Sequence, residues 1–354
     1  MGVRVVTDGR LGYASSEALD DASLGWMLDE AIVNARLQPA RGAGLPPGGA
    51  LGRSDLIPEG ISAVVEAKGA AVVELESVVV ADARVDARFM ARYAETETEA
   101  VLGSTSGVDG GYRKACAMLM VSPVMKRGDS VKRGWELDVA KAFHPLDPTR
   151  TSQQTLECVG RHLGATPLRT GRYDSVFEPD VADTLVRLLL FSLSGKSVAE
   201  GKARLAARVG QRFARDLITL IDDPTLADGL ASRPFDAEGA PARRTPLIEG
   251  GALRSFLHDS DTARRTGQAN TGHGLRSYAS ALGVGPSNLV LEAGRGAALD
   301  DGVIVTYLMA VHTGANPITG DVSRQGLGLR VEGGGLGRLR ASRSASTCSS
   351  CSSA

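Results

Sequence analysis

The sequence is poor in aromatic residues, in histidine and in cysteine, and each shortage narrows what the chain can be. Phe, Trp and Tyr make up 4% of 354 residues, so the core has to come from Val, Leu, Ile and Ala. The five histidines (His144, His162, His258, His273 and His312) lie at least fifteen residues apart, which leaves no local pair with metal-ligand spacing. Four cysteines fit a reducing location rather than a disulfide-stapled scaffold. Cys116 and Cys158 stand singly in apolar surroundings and read as buried thiols. No run reaches about 18 apolar residues, and the opening MGVRVVTDGR lacks a signal-peptide pattern. The expectation is a cytoplasmic protein with no membrane partner. Charge of either sign is not in excess: 40 Lys and Arg against 41 Asp and Glu give −1. No broad field draws the chain to nucleic acid.

What the chain does have is length for two domains, 43% hydrophobic residues and 43 glycines, a composition of many turns and hairpins. Residues 3–7 and 11–15 read as a hairpin about Asp8-Gly9. Residues 16–37 read as a helix with Leu24, Met27, Leu28, Ala31 and Ile32 on one face. Residues 38–60 are Pro- and Gly-rich and read as loop, and a second helix is expected over 61–80 behind Pro58-Glu59. Strands are expected from Tyr93 onward and on both sides of Gly128-Asp129. Glu95, Glu97 and Glu99 then share one face as a solvated edge, or as a site for a cation or amino terminus. A helix over 149–165 would use Thr151-Ser152 as its cap. Beyond Pro179, VADTLVRLLLFSLSG is apolar nearly all round and predicts a helix buried on most sides. LITLIDD (217–223) reads as a strand, TPLIEGGALRSFLHD as a hairpin at Gly250-Gly251, and 302–311 as an apolar strand. NPITGDVSRQGLGLRVEGGG reads as two short strands about Thr319-Gly320-Asp321. The pattern is α+β, with mixed and antiparallel sheets and packed helices. It divides into an N-terminal α+β domain over 1–165 and a β-rich α+β domain over 166–334. From Gly335 the apolar period stops, and a disordered tail is expected over 335–354.

Few segments suggest chemistry. In RPFDAEG, Asp236 and Glu238 could face one way and contact a substrate or partner; alternatively they pair with Arg233, Arg243 or Arg244. His273, in TGHG, could approach a ligand or donate a proton; alternatively it satisfies local hydrogen bonds. His258 and His312 sit in apolar, strand-like contexts and read as structural. Gly195-Lys196-Ser197 lacks the earlier glycine of a phosphate loop, Leu190 standing there, and Cys348-Ser-Ser-Cys351 has no second pair to complete a zinc site.

One ordered stretch is more specific. Residues 232–273 join an acidic loop, the pair Arg243-Arg244, a glycine hairpin and a TGH segment. Together with Thr7–Ser15, Tyr93–Leu102 and Asn316–Arg324, this order resembles the TldD/PmbA family of metalloproteases, also described as modulators of DNA gyrase. The resemblance covers nearly all of residues 1–334. It implies that the first helix and strands of the family are missing here and that both ends are shortened. Loss of the reading frame near Gly333–Gly335 would account for the tail. In TldD-type chains a helix carries His-Glu-x-x-x-His, two zinc ligands and a carboxylate base. Alignment on the helix after Pro179 puts Val186, Arg187 and Phe191 at those positions, and none binds zinc. That departure is similar to the PmbA (TldE) type. The resemblance therefore implies a non-catalytic subunit with no catalytic or metal residues of its own. It implies a heterodimer with a zinc-bearing TldD-type partner that cleaves small or unfolded peptides. A homodimeric peptide-binding scaffold and a degraded gene remnant are the alternatives.

Overall fold

The structure is a computed structural model that describes residues 1–40, 42, 44–46, 48–58, 63–293, 299–309, 316, 318–333 and 344–348. In chain order the first elements are β1 (Gly2–Thr7), β2 (Arg10–Ser15), α1 (Asp21–Leu37), β3 (Ala50–Asp55) and α2 (Val65–Val80). Then come β4 (Val85–Gly103), β5 (Asp109–Arg127), β6 (Ser130–Arg133), β7 (Glu136–Ala140), α3 (Pro148–Gly160) and β8 (Ser175–Phe177). Next follow α4 (Pro179–Leu193), α5 (Gly195–Ala199), β9 (Leu220–Asp222), β10 (Thr245–Glu249), β11 (Ala252–Leu253) and α6 (Ser260–Thr266). The last elements are β12 (Gly274–Leu275), β13 (Gly283–Val284), β14 (Leu289–Leu291), β15 (Gly302–Leu308), β16 (Val322–Val331) and β17 (Ser344–Cys348). The class is α+β; pairs such as β1–β2, β9–β10, β5–β7 and β15–β16 are antiparallel, and β8 joins β15 in parallel.

Two compact units are interleaved along the chain, whereas the sequence reading places two domains in tandem. The first comprises Met1–Asp55, Glu99–Tyr112 and Ser192–Glu292; the second comprises Leu56–Thr98, Arg113–Phe191 and Ala293–Ala354.

In the first unit, β1 and β2 form the expected hairpin, with Asp8 at φ 50° and Gly9 at φ 68°. Both turn residues occupy the left-handed region that a two-residue hairpin of this twist demands. The hairpin lies on α1 very closely. A Cβ on Gly12 would come within 2.0 Å of the Ala31 carbonyl and 2.4 Å of the Ala35 nitrogen. Small residues on both surfaces permit that approach. Asp20 caps α1 by accepting from the Ser23 N–H. Met27, Ala31 and Ala35 are the buried residues of α1, while Leu28, expected on the same face, is 47% exposed. The hairpin covers an alanine stripe, too narrow to reach Leu28. A sheet of order β11-β10-β9-β14 supplies the unit's apolar centre, with Leu220, Ile221, Leu247, Ile248 and Leu253 buried.

In the second unit, α2 and α3 pack with β5. Leu75 and Val79 of α2 meet Leu119, Val121 and Met125 of β5 and Leu156 and Val159 of α3 in one buried cluster. The aliphatic composition expected of the core is what fills it. A second sheet has the order β17-β16-β15-β8.

Several expectations need correction. Residues 50–55 form β3 inside the region read as loop. Helix α2 starts at Val65 rather than behind Pro58, with Val64 as an N-cap that makes no side-chain bond. Asp147, not Thr151-Ser152, caps α3: its carboxylate accepts from the Arg150 N–H. Thr151 and Ser152 lie inside the helix, where their hydroxyls donate to the Asp147 and Leu75 carbonyls. A hydroxyl satisfied by a backbone carbonyl can be buried, so the cap rule misplaces the helix start here. Most of α4 is half-buried rather than buried all round. Cys116 and Cys158 are only partly buried. After the turn at residues 319–320, the ten-residue strand β16 runs back along β15, longer than the short strand expected there, and the stretch before the turn lies partly outside the described residues. In the tail, Ser344–Cys348 pairs antiparallel with β16, from Val322↔Cys348 to Gly326↔Ser344. Small and β-branched residues there can complete an edge strand's unpaired backbone groups. His312 and Cys351 lie outside the described residues.

Candidate functional site

Asp236, Glu238 and His273 come together in the first unit around the segment His273–Gly274. Residues 234–242 double back on themselves. The Asp236 N–H donates to the Ala240 carbonyl and the Gly239 N–H to the Asp236 carbonyl. Gly239 turns the loop at φ +88°, and a Cβ there would lie 2.8 Å from Val108. Glycine is therefore required twice over, by conformation and by space. The loop is tied to β12 by the Ala237 N–H, which donates to the Gly274 carbonyl at 2.9 Å.

The Asp236 carboxylate is 2% exposed. Its Oδ1 accepts from the Glu238 and Ala240 N–H groups at 2.9 Å each, and its Oδ2 from the Gly274 N–H at 2.8 Å. Burial pushes its pKa above the usual carboxylate range, against the opposing pull of those three donors. Glu238 is also buried. Its Oε1 accepts from Arg4 Nη1 at 2.5 Å and its Oε2 from the Ser260 N–H at 2.8 Å, at the start of α6. Gly274 lies against both acids: a Cβ there would stand 2.9 Å from Asp236 Oδ2 and 3.2 Å from Glu238 Cγ.

None of the arginines suggested as partners bonds to either acid. Arg243 donates to the Asn270 carbonyl and Arg244 to Glu292 at 3.2 Å. The Nε and Nη2 of buried Arg233 have no hydrogen-bond partner. The true partner, Arg4, lies 234 residues away in sequence, beyond the reach of any local pattern.

His273 is fully buried. Its Nε2 lies 2.8 Å from Asp222 Oδ2 and its Nδ1 lies 2.8 Å from Thr271 Oγ1. A carboxylate only accepts, which assigns a proton to Nε2. Asp222, on β9, also accepts from the Ser287 N–H at 2.7 Å and its hydroxyl at 2.5 Å. The flanking Gly272, at φ +74°, sits where a Cβ would be 2.8 Å from the Pro241 carbonyl. His258 is buried next to this network, with Nδ1 3.2 Å from Thr262 Oγ1, and desolvation lowers its pKa. In Ser287, Asp222 and His273 the carboxylate sits between the other two groups and the ring is closed to solvent. This order lacks the nucleophile–base contact of an acyl-transfer site. Sequence reasoning passed over Asp222; the available signal was an Asp closing an otherwise apolar strand.

The positions aligned with the zinc motif lie on α4. Val186 and Phe191 offer no donor atoms, and Arg187 donates to Asp183 at 2.6 Å, one turn earlier. This donor set does not fit zinc. Among the described residues no group of three or more His, Cys, Asp or Glu could hold a metal ion. The described helices include none long and apolar enough to cross a membrane. Gly195 opens the short helix α5; a Cβ on it would meet His258 Nδ1 at 2.2 Å, so close packing accounts for this glycine. Glu95, Glu97 and Glu99 are exposed, with Glu95 bound to Lys68 at 2.6 Å and Glu97 to Arg113. A cavity of about 660 Å³ in the second unit is lined by Arg84, Arg161, Glu178, Leu156, Ile304 and Leu329 among others. Asp236, Glu238 and His273 do not line it.

Comparison with known proteins follows the same lines. Residues 170–343 match the family described as PmbA/TldA metallopeptidase C-terminal domain. The metalloprotease PmbA of Escherichia coli O157:H7 is 30% identical over 245 residues, 66% of this chain and 51% of that protein. A PmbA homologue from Haemophilus influenzae is 27% identical over 239 residues, 66% of this chain and 51% of the relative. The chain thus spans about half the length of these curated relatives. In fold it is similar to TldE from Thermococcus kodakarensis, with a TM-score of 0.80 at 22% identity, covering 96% of this chain and 79% of the other. A Thermotoga maritima protein described as a modulator of a DNA gyrase gives 0.82 at 23% identity, covering 94% and 77%. Through residues 170–343 the chain belongs to the PmbA/TldD family.

Proposed function

We propose that this chain is a PmbA/TldE-type, non-catalytic subunit of a zinc metalloprotease complex acting on small or unfolded peptides. The observation that carries the reading is α4. Where a zinc-bearing chain would present His-Glu-x-x-x-His, this helix presents Val186, Arg187 and Phe191, and Arg187 is bound to Asp183. The zinc then belongs to a TldD-type partner, and this chain contributes shape and peptide-contacting surface. When bound to that partner, zinc would activate the water that hydrolyses the peptide bond. The chain's own buried network, Asp222–His273 and Asp236–Gly274, holds loops rigid instead of moving protons. Rigid support is what a subunit shaping its partner's site has to supply.

Co-expression with the host's TldD-type subunit, pull-down and peptide cleavage with and without chelator test the proposal. The expected result is stable association, chelator-sensitive cleavage by the pair, and no cleavage by this chain alone. Failure to associate overturns it and favours a peptide-binding scaffold. Chelator-sensitive cleavage by this chain alone overturns it in the other direction.

A further inference from the structure

Among the described residues Glu238 is the carboxylate that acts on half-buried Arg276, and it already holds Arg4. Two arginines and a tyrosine of the first unit lie within Coulomb reach of it: Arg4 on β1, Tyr13 on β2 and Arg276 just after β12. Both oxygens of Glu238 are already taken, Oε1 by Arg4 Nη1 and Oε2 by the Ser260 N–H. Arg4 spends Nη2 on the Gly44 carbonyl at 3.2 Å, and its buried Nε has no partner. Arg276 is half-buried, and no hydrogen bond or ion pair holds its guanidinium among the described residues. Removing Arg276 from water disfavours its charge, and the neighbouring Arg4 adds to that penalty. The Tyr13 hydroxyl accepts from the Leu282 N–H at 3.4 Å and donates to no group among the described residues. Its own proton is held firmly, because burial raises its pKa.

Around Arg276 the count is two cations, Arg276 and Arg4, against one anion, Glu238, because Asp236 and Asp259 act on Glu238 but not on Arg276; the unused hydrogen-bonding groups there are all donors. A half-buried guanidinium whose one nearby carboxylate is already hydrogen-bonded to Arg4 and Ser260 is costly, and a further carboxylate supplies both charge and the missing acceptors. The planar fork of Arg276 suits bidentate capture of such a group. We propose that Arg276, Tyr13 and Arg4 form a carboxylate-binding site, taking the carboxylate of a peptide. This deepens the peptide-handling reading above and rests on it. The site is not the aligned zinc region, since none of its residues lies on α4. Glu238 serves as the positioning residue: it anchors Arg4, so that Arg4 Nε and Arg276 present their donors from fixed places.

The source of the carboxylate is separable by chemistry. A fluorescein-labelled short peptide with a free C-terminal carboxylate, the same peptide as its C-terminal amide, and an amide carrying one internal Asp would be titrated against the full chain alone. Fluorescence anisotropy reads binding, so no partner subunit is needed, and failure of the protease reading leaves this test intact. The expected result is binding of the free acid that weakens with salt and is lost on amidation. If the Asp-bearing amide also binds, the site takes side-chain carboxylates as well, and the proposal still stands. Arg276→Met should weaken binding by about tenfold to a hundredfold, the range for a charge-assisted hydrogen bond. Arg276→Lys, which keeps the charge and guards against loss of fold, should fall between the two. Tyr13→Phe should weaken binding about two- to tenfold, as for a neutral hydrogen bond. Equal binding of free acid and carboxylate-free amide, unchanged affinity in Arg276→Met, or no binding of any peptide overturns the proposal.

Discussion

Replacing Asp236 by alanine should destabilise the first unit by about 3 kcal/mol. The magnitude follows from what the carboxylate holds. Three backbone N–H groups, of Glu238, Ala240 and Gly274, end on its two oxygens at 2.9, 2.9 and 2.8 Å. Alanine leaves three donors with no acceptor in a place closed to water, at about 1–3 kcal/mol each. Relief from burying the carboxylate returns part of that sum. Asp236→Asn is the informative companion. Its carbonyl oxygen can keep the Glu238 and Ala240 bonds, but its NH2 then faces the Gly274 N–H, donor against donor, for about 1–3 kcal/mol. Urea unfolding followed by circular dichroism measures both. A pH series adds a sign. Burial raises the folded-state pKa of Asp236, so the native chain binds more protons than the unfolded one in the window just above the unfolded value of about 3.9. The contribution is present below that value and is lost as pH rises through the folded pKa. The advantage of wild type over Asp236→Asn should therefore shrink as pH rises from about 4. An Asp236→Ala midpoint within about 0.5 kcal/mol of wild type would refute the reasoning, because exposed or water-satisfied loops respond that weakly.

Other consequences are simpler to state. Leu119 is fully buried at the centre of the second unit, so Leu119→Ala should cost about 2–5 kcal/mol in thermal or urea unfolding. Gly12→Ala places a methyl 2.0 Å from the Ala31 carbonyl; hairpin and helix must part, lowering stability by about 1–3 kcal/mol, readable as a lower melting temperature. His162 bonds through Nε2 to Thr306 at 2.7 Å, and desolvation lowers its pKa to about 4. The unfolded chain binds that proton from about pH 6.5 downward, so stability should fall as pH drops from about 6.5 to about 4. His162→Gln should remove that part of the pH dependence. Burial and the nearby Glu136 push the Cys158 thiol up to about 12. It should resist iodoacetamide at neutral pH until the protein is unfolded, as mass spectrometry of the labelled chain would show.

Local chemistry was legible where local chemistry decides. Asp8-Gly9, Gly250-Gly251 and Gly128-Asp129 were read as turns, and the structure puts left-handed residues at each. Those turns depend on two neighbouring residues and a strand twist, all contained in a short window. Helix faces were legible only in part: periodicity found Met27 and Ala31 but could not know that the covering hairpin stops short of Leu28. The strand β3 was invisible because Pro and Gly dominate its surroundings, and its pairing with β5 comes from far along the chain. Glycine-rich segments can be recruited as edges by a sheet that exists for other reasons.

The same division separates what could be read of the site from what could not. The order RPFDAEG followed by TGHG holds Asp236, Glu238 and His273, which the fold brings together, and each glycine there answers a local demand of φ or space. The partners of its charged groups were misassigned, since nearby arginines are the natural guess and Arg4, Asp222 and Ser287 lie at sequence separations of tens to hundreds of residues. A buried carboxylate needs donors, but the sequence does not say whether they are side chains or backbone. For Asp236 they are backbone; for Glu238 they are one of each. The charge surplus at Arg276 appears only after that assignment. Glu238 had to be seen spent on Arg4 and Ser260 before Arg276 could be seen without a carboxylate hydrogen-bonded to it. A close fit to local rules thus located the segment, and long-range electrostatics distinguished the groups that hold it together from Arg276, the one the proposal assigns to a ligand.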